Sequence, residues 1–253
     1  LRSIAIGLMP DMFKATVITL YPEAFPGPLD VSILARGQRE GRWALEMVQL
    51  RDFGLGKHKQ VDESPAGGGA GLVLRADVAA AAIDSVALEG RPLIYPSPRG
   101  KPFTQARARA LAAGPGMVVL CGRFEGLDER VIEARGMEEV SLGDFVLAGG
   151  EVAAQAMIEA SVRLVPGVAG NAASLEDESF ETGLLEYPLY TKPNLFEGRE
   201  IPPVLLSGNH KEIASWRLNA SKELTERLRP DLYAAYPPNG KDIRASETDD
   251  ECD

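Results

Sequence analysis

The chain has 253 residues, 45% of them hydrophobic and 25% charged, which is enough to bury a large core as one big domain or two smaller ones. Its formal charge of −10 excludes a protein that coats nucleic acid non-specifically, because Lys and Arg neutralising phosphates supply most of that affinity. Five of its acids (Glu247, Asp249, Asp250, Glu251 and Asp253) crowd the last eight residues, so the rest of the chain carries half the excess and is compatible with a local basic surface. No stretch nears the roughly 20 apolar residues that span a bilayer, and the N-terminus lacks a secretory layout, so a cytoplasmic protein is expected. Cys121, in an apolar run, and Cys252, in the polar tail, make neither a disulfide framework nor a metal site.

In chain order, the first expectation concerns residues 1–11, which precede Met12 and read as a non-native or extended N-terminus, with Met12 the natural start. The β-branched run Thr16–Thr19 predicts a strand ended by Tyr21-Pro22. A helix is expected over Leu29–Arg39 and a strand over Ala44–Leu50. Arg51–Gly71 is a long segment of little apolar periodicity, holding Lys57, His58, Lys59 and a glycine run. A loop of that length inside a domain is functional or disordered. Its glycines are not a dinucleotide fingerprint, because the G-x-G-x-x-G spacing after a strand is missing, and this argues against a Rossmann-type dehydrogenase.

The alanine-rich stretch Ala76–Leu88 predicts a helix, Arg91–Tyr95 a strand, and Tyr95–Gly100 a proline-stiffened turn at its end. Thr104 caps a helix running to Ala113, and Gly114-Pro115-Gly116 breaks it. Met117–Cys121 reads as a buried strand, a second apolar stretch begins at Val140, and Glu151–Leu164 reads as a helix. Strands and helices thus alternate to Leu164, which predicts an α/β domain with a mostly parallel sheet covered on both faces. Beyond it, residues 166–187 have the composition of a linker or lid, and Pro188–Pro203 is proline-spaced and extended. A Ser207 or Asn209 cap precedes a helix bearing Ile213, Trp216 and Ala220, so a small helical domain over 188–244 follows, and then an acidic, disordered tail over 245–253.

Two segments carry the chemistry. The strand ending at Cys121 runs into Gly122-Arg123-Phe124-Glu125-Gly126, and the stretch from Val140 runs into Gly149-Gly150 before Glu151 opens a helix. Polar and glycine-rich strand ends of this kind hold ligands in α/β sheets. Leu120–Arg130 and Ser141–Glu151 resemble the hallmark segments of bacterial tRNA (guanine-N1)-methyltransferases, members of the trefoil-knotted SPOUT superfamily. The resemblance runs from about Met12 to Tyr236.

That resemblance implies a deep trefoil knot at the C-terminal end of the 12–165 domain, S-adenosylmethionine as methyl donor, and guanine 37 of tRNA, beside the anticodon, as acceptor. It assigns the donor pocket to Tyr95, Pro96, Ser97 and Pro98, to Gly122, Phe124 and Glu125, and to Leu142, Gly143, Phe145, Leu147, Gly149 and Gly150. Glu125 alternatively pairs with Arg123 or Arg130 as a solvated acid.

Guanine N1 carries a proton at neutral pH, so a carboxylate has to remove it, an aid worth about 10²–10⁴ in rate. The family's base is an Asp before Ser-Phe. Here Glu178 stands at that position and Asp177 is the alternative base. Arg163 takes the place of an arginine that faces the guanine O6, and otherwise serves the end of its helix. Lys57, His58, Lys59, Lys211, Trp216 and Arg217 are tRNA-binding candidates, with a solvated loop and an ordinary amphipathic helix as the plain alternatives. The resemblance also implies a homodimer in which the lid of one subunit closes over the donor pocket of the other. Two other readings stay open: a knotted methyltransferase acting on another nucleotide, and a silent RNA-binding homologue.

Overall fold

A computed structural model describes residues 12–170 and 178–237. The expected extra N-terminus, Glu176 and Asp177 of the acidic segment, and the acidic tail with Cys252 lie outside the described residues. The chain divides into two compact units, 1–170 and 171–253.

In the first unit five strands form one sheet: β1 (Phe13–Thr19), β2 (Trp43–Gln49), β5 (Leu93–Pro102), β6 (Gly116–Leu120) and β7 (Glu138–Ser141). Their order is β2-β1-β6-β5-β7, and every neighbouring pair is parallel. A small antiparallel pair, β3 (Asp62–Glu63) and β4 (Val73–Leu74), lies within and just beyond the long predicted loop. The helices are α1 (Ser32–Arg39), α2 (Ala76–Asp84), α3 (Gln105–Ala112), α4 (Glu129–Ala134) and α5 (Glu151–Val162).

The central strands are apolar on both sides, and their two-residue period divides the core in two. Val17, Met117, Val119, Cys121 and Ile94 face one cluster with Ala154, Met157, Ile158 and Val162 of α5. Ile18, Val118, Leu120, Leu93 and Tyr95 face the other, with Val78, Ala79 and Ala82 of α2 and Val131 and Ile132 of α4. This double burial explains why the sequence reads as short continuous apolar runs. Gly116 opens β6 at φ +122°, and a Cβ there would stand 2.0 Å from the Lys14 carbonyl oxygen, so β1 and β6 pair closely only because that residue is glycine.

Three local expectations change. The β5 strand does not stop at Tyr95 but continues to Pro102, with a register shift between Pro96 and Lys101, both of which face Val140. Pro96 and Pro98 lack the N–H that a ladder needs, so the chain bulges outward and resumes pairing. Helix α2 ends at Asp84 rather than Leu88. The Ser85 hydroxyl donates back to the Ala82 carbonyl, and the Arg91 guanidinium donates to the Leu88 carbonyl. The predicted Leu29–Arg39 helix is broken into a 3₁₀ turn over Gly27–Asp30 and α1 from Ser32.

The second unit is mainly helical. Its long helix His210–Leu228 starts at an Asn209 cap whose side chain accepts from the Glu212 N–H, and Pro230–Ala235 follows it. The predicted extended stretch contains a short hairpin, Leu195–Phe196 with Arg199–Glu200.

Candidate active site

Strands β6, β5 and β7 are neighbours and run parallel, so their carboxyl ends open along one edge of the sheet, where α/β proteins hold ligands. A cleft of about 420 Å³ lies there. Tyr95, Pro96, Ser97 and Pro98 of the bulged β5 form one wall. Gly122, Phe124 and Glu125 beyond β6 form a second, and Leu142, Gly143, Phe145, Leu147, Gly149 and Gly150 between β7 and α5 form the third. All the residues assigned to the donor pocket from sequence therefore meet in one cavity. Arg99, Gly126, Leu127, Glu129, Ala148 and Ala153 also line it. Gly126, Leu127, Glu129 and Ala148 lie within the two hallmark segments without an assigned role, and Arg99 and Ala153 lie just beyond the assigned stretches.

The walls are set by tight packing. Gly122 lies against the Tyr95 ring, and a Cβ there would be 2.8 Å from the hydroxyl. Burial pushes the Tyr95 phenol up from its ordinary value, opposed by a hydrogen bond from the Leu127 backbone. Phe124 adopts φ +60°, and the Glu125 N–H donates to the Leu72 carbonyl at 2.9 Å. The end of the glycine-rich segment thus runs beside the Gly122–Gly126 turn, with Gly71 directly against the Glu125 side chain. At the rim, Arg99 bonds Glu129 at 2.9 Å and Glu139 at 3.1 Å. The Glu129 hydrogen bond is the main cause that holds its guanidinium above the usual value.

Neither expected partner of Glu125 pairs with it. Arg123 turns to the buried Glu151, and Arg130 grips Asp128 at the start of α4. Asp128 also caps that helix by accepting from the Arg130 N–H. The fold brings Glu151 to Arg123 from 28 residues on, whereas Arg130 takes the acid two positions before it in the chain. Cys121 is fully buried, and burial, followed by the charge of Glu151, raises its thiol well above the ordinary value. It is a small, protonated core residue.

Arg163 is not part of this cleft. It is the C-cap residue of α5, whose N-cap is Gly150 and whose first residue is Glu151, and at 1.5 Å per residue it sits roughly 20 Å along the helix from Gly150. Glu178 belongs to the second unit, in a closed turn. Its carbonyl accepts from the Glu181 N–H, and the Phe180 N–H donates to the Leu184 carbonyl. The Ser179 hydroxyl accepts from the Glu186 N–H, and the Leu185 N–H donates to Thr225 of the long helix at 2.9 Å.

Among the tRNA candidates, Lys57, His58 and Lys59 are exposed on a tight turn closed by Leu55 and Gln60, and Lys59 also holds Asp52. In the second unit the Arg217 guanidinium lies over the Tyr187 ring, 4.7 Å from its centroid, while Trp216 meets Tyr190 edge-on at 6.1 Å. Lys211 is exposed one residue into the helix. Among the described residues no cluster of His, Cys, Asp and Glu would hold a metal ion, and no helix is long and apolar enough to cross a membrane.

A tRNA (guanine-N(1)-)-methyltransferase of Mesorhizobium japonicum is 62% identical over 227 residues, covering 89% of this chain and 98% of the relative. Relatives of the same name from a Chelativorans species and from Brucella ovis are 59% and 57% identical, over 88% and 91% of this chain and 96% and 95% of theirs. The family model described as tRNA (Guanine-1)-methyltransferase TrmD matches residues 13–235. With that match running through most of both units, and with the glycine-bearing ends of the two hallmark segments gathered around one cleft beside Tyr95–Pro98, the chain belongs to the tRNA (guanine-1)-methyltransferase family.

Proposed function

We propose that the protein transfers the methyl group of S-adenosylmethionine to N1 of guanine 37 in tRNA, in the cytoplasm and as a homodimer with the family's trefoil knot. The observation that carries this reading is the 420 Å³ cleft at three adjacent strand ends, a volume in the range of small-molecule sites. The cleft fits such a donor. Gly122 and Gly149–Gly150 put backbone without side chains in its lining, where an adenine edge can approach closely, and Tyr95, Leu142 and Leu147 add apolar surface. The bound donor supplies an electrophilic methyl group on a sulfonium.

The protein's own residues do the rest. Glu178 takes the N1 proton, with Asp177 the alternative base, and Arg163 faces the O6 as negative charge grows there during deprotonation. Because Arg163 lies roughly 20 Å along α5 from its own Gly150, the arginine serving one cleft comes from the partner subunit, as does the Glu178 lid. Exposed Phe145, Val146, Leu147 and Val152 beside the cleft supply apolar surface for that dimer to cover. Lys57, His58 and Lys59, with Lys211, Trp216 and Arg217, serve the tRNA backbone and its bases.

The test is transfer of a labelled methyl group from S-adenosylmethionine to a tRNA transcript bearing guanine 37, followed by mapping of the product. One N1-methylguanine at position 37, absent when that nucleotide is changed to adenine, is the expected result. Label at another nucleotide would make the protein a knotted methyltransferase of different target. RNA binding without transfer would make it a silent homologue.

A further inference from the structure

Glu151 is the most deeply buried carboxylate among the described residues, 3% exposed, and neither donor binding nor proton removal has used it. A buried carboxylate is strongly unfavourable unless paired. Here it is paired in one direction. Its Oε1 accepts from the Thr19 hydroxyl at 2.7 Å and from Arg123 Nε at 3.1 Å. Its Oε2 lies 3.0 Å from Arg123 Nη2 but off the angle of a hydrogen bond, and has no other donor.

The arginine reaches further. Its Nη1 donates to the Ala148 carbonyl at 3.3 Å, and its plane covers the Tyr21 ring at 4.3 Å. A Cβ on Gly149 would stand 2.3 Å from Arg123 Nε and 2.6 Å from Glu151 Oε2. The guanidinium is therefore packed against the Ala148–Gly150 turn, holding the carboxylate with one edge and the turn's carbonyl with another. A lysine ammonium, a single point charge, lacks that two-edged reach.

We infer that the Arg123–Glu151 pair is a latch that holds the Ala148–Gly150 turn in its donor-binding shape, with Glu151 a positioning residue acting through Arg123. This rests on reading the cleft as the donor site. Glu151 does not itself line the cleft, so it has no acid or base role there. Its charge orients the guanidinium, and the guanidinium orients the wall.

The test measures S-adenosylhomocysteine binding by calorimetry and methyl-transfer kinetics on Glu151→Gln, Arg123→Lys and the double variant. Each single variant is expected to raise the donor KM about tenfold with kcat little changed, the signature of lost binding in ground and transition state alike. The double variant should lose no more than the worse single one, because the two residues act as one unit. Amide exchange supplies a readout free of ligand. The Gly150 N–H, bonded to the Gly122 carbonyl at 2.9 Å, is expected to exchange faster in the unliganded variants. Parent-like affinity in Arg123→Lys, a loss confined to kcat, or additive losses would overturn the latch. Should Glu151→Gln fail to fold, Arg123→Lys still decides. Should the parent bind no donor, the donor-site reading fails, and unchanged Gly150 exchange in the variants would then overturn the latch on its own.

Discussion

Replacing Glu178 by Gln is expected to lower methyl transfer to tRNA by about 10²–10⁴ at saturating donor and tRNA, the range for loss of a positioned base. Donor binding stays unchanged. Gln keeps the length and shape of the side chain, and the turn that carries it is closed by backbone bonds from Phe180 and Glu181 and by Thr225, none of which needs the carboxylate. Asp177→Asn is expected to leave the rate at the parent level. Single-turnover rates across pH check this, because a missing base removes the rising acid limb of the profile rather than shifting KM. An inactive Asp177→Asn beside an active Glu178→Gln would move the base one residue back.

Gly149→Val is expected to abolish donor binding, with affinity falling about a hundredfold or more, equivalent to roughly 3 kcal/mol. The first added carbon alone would meet Arg123 Nε at 2.3 Å and Glu151 Oε2 at 2.6 Å. Both belong to an ion pair whose carboxylate is buried, and the turn has to move instead. Calorimetry with S-adenosylmethionine checks the affinity, and thermal denaturation separates a displaced turn from an unfolded protein. A variant that folds and binds like the parent would remove the Gly149–Gly150 turn from the donor site. Mixing this variant with Glu178→Gln extends the test to the dimer. If the lid of one subunit serves the cleft of the other, heterodimers regain one site with an intact cleft and an intact base, and activity returns on mixing two inactive proteins. Continued inactivity after subunit exchange would place both halves in one protomer.

The elements legible in the sequence are those whose causes are local. Thr104 reads as one helix cap and Ser207 or Asn209 as another because such side chains accept from N–H groups three residues on, and Thr104 and Asn209 do so here. Met117–Cys121 reads as a buried strand because an uninterrupted apolar run fits a strand covered on both faces, and each alternate residue goes to a different core. The bulge in β5 is not legible. Prolines signal a break in pairing, but whether the strand stops or resumes depends on β7 offering Val140 and Ser141 to Lys101 and Pro102.

The donor-pocket residues are named from motifs, and their meeting in one cleft follows from strand order, which puts β6, β5 and β7 side by side. The pairing of Arg123 differs from expectation because its carboxylate is 28 residues away, while Glu125 is only two positions on. Nearness along the chain is a poor guide once a parallel sheet brings distant strand ends together.

Side-chain periodicity and backbone freedom act within a few residues, and they suffice to lay down the alternation of strands and helices, while the family is legible from the resemblance carried by Leu120–Arg130 and Ser141–Glu151. Three-dimensional packing settles the rest. It assigns Arg123 to Glu151 and Ala148, lets Thr19, 132 residues from Glu151, share that carboxylate, and leaves Arg163 at the far end of α5 from the cleft. Those outcomes depend on which strands lie side by side and how far a rigid helix carries its last residue, distances that no local pattern encodes.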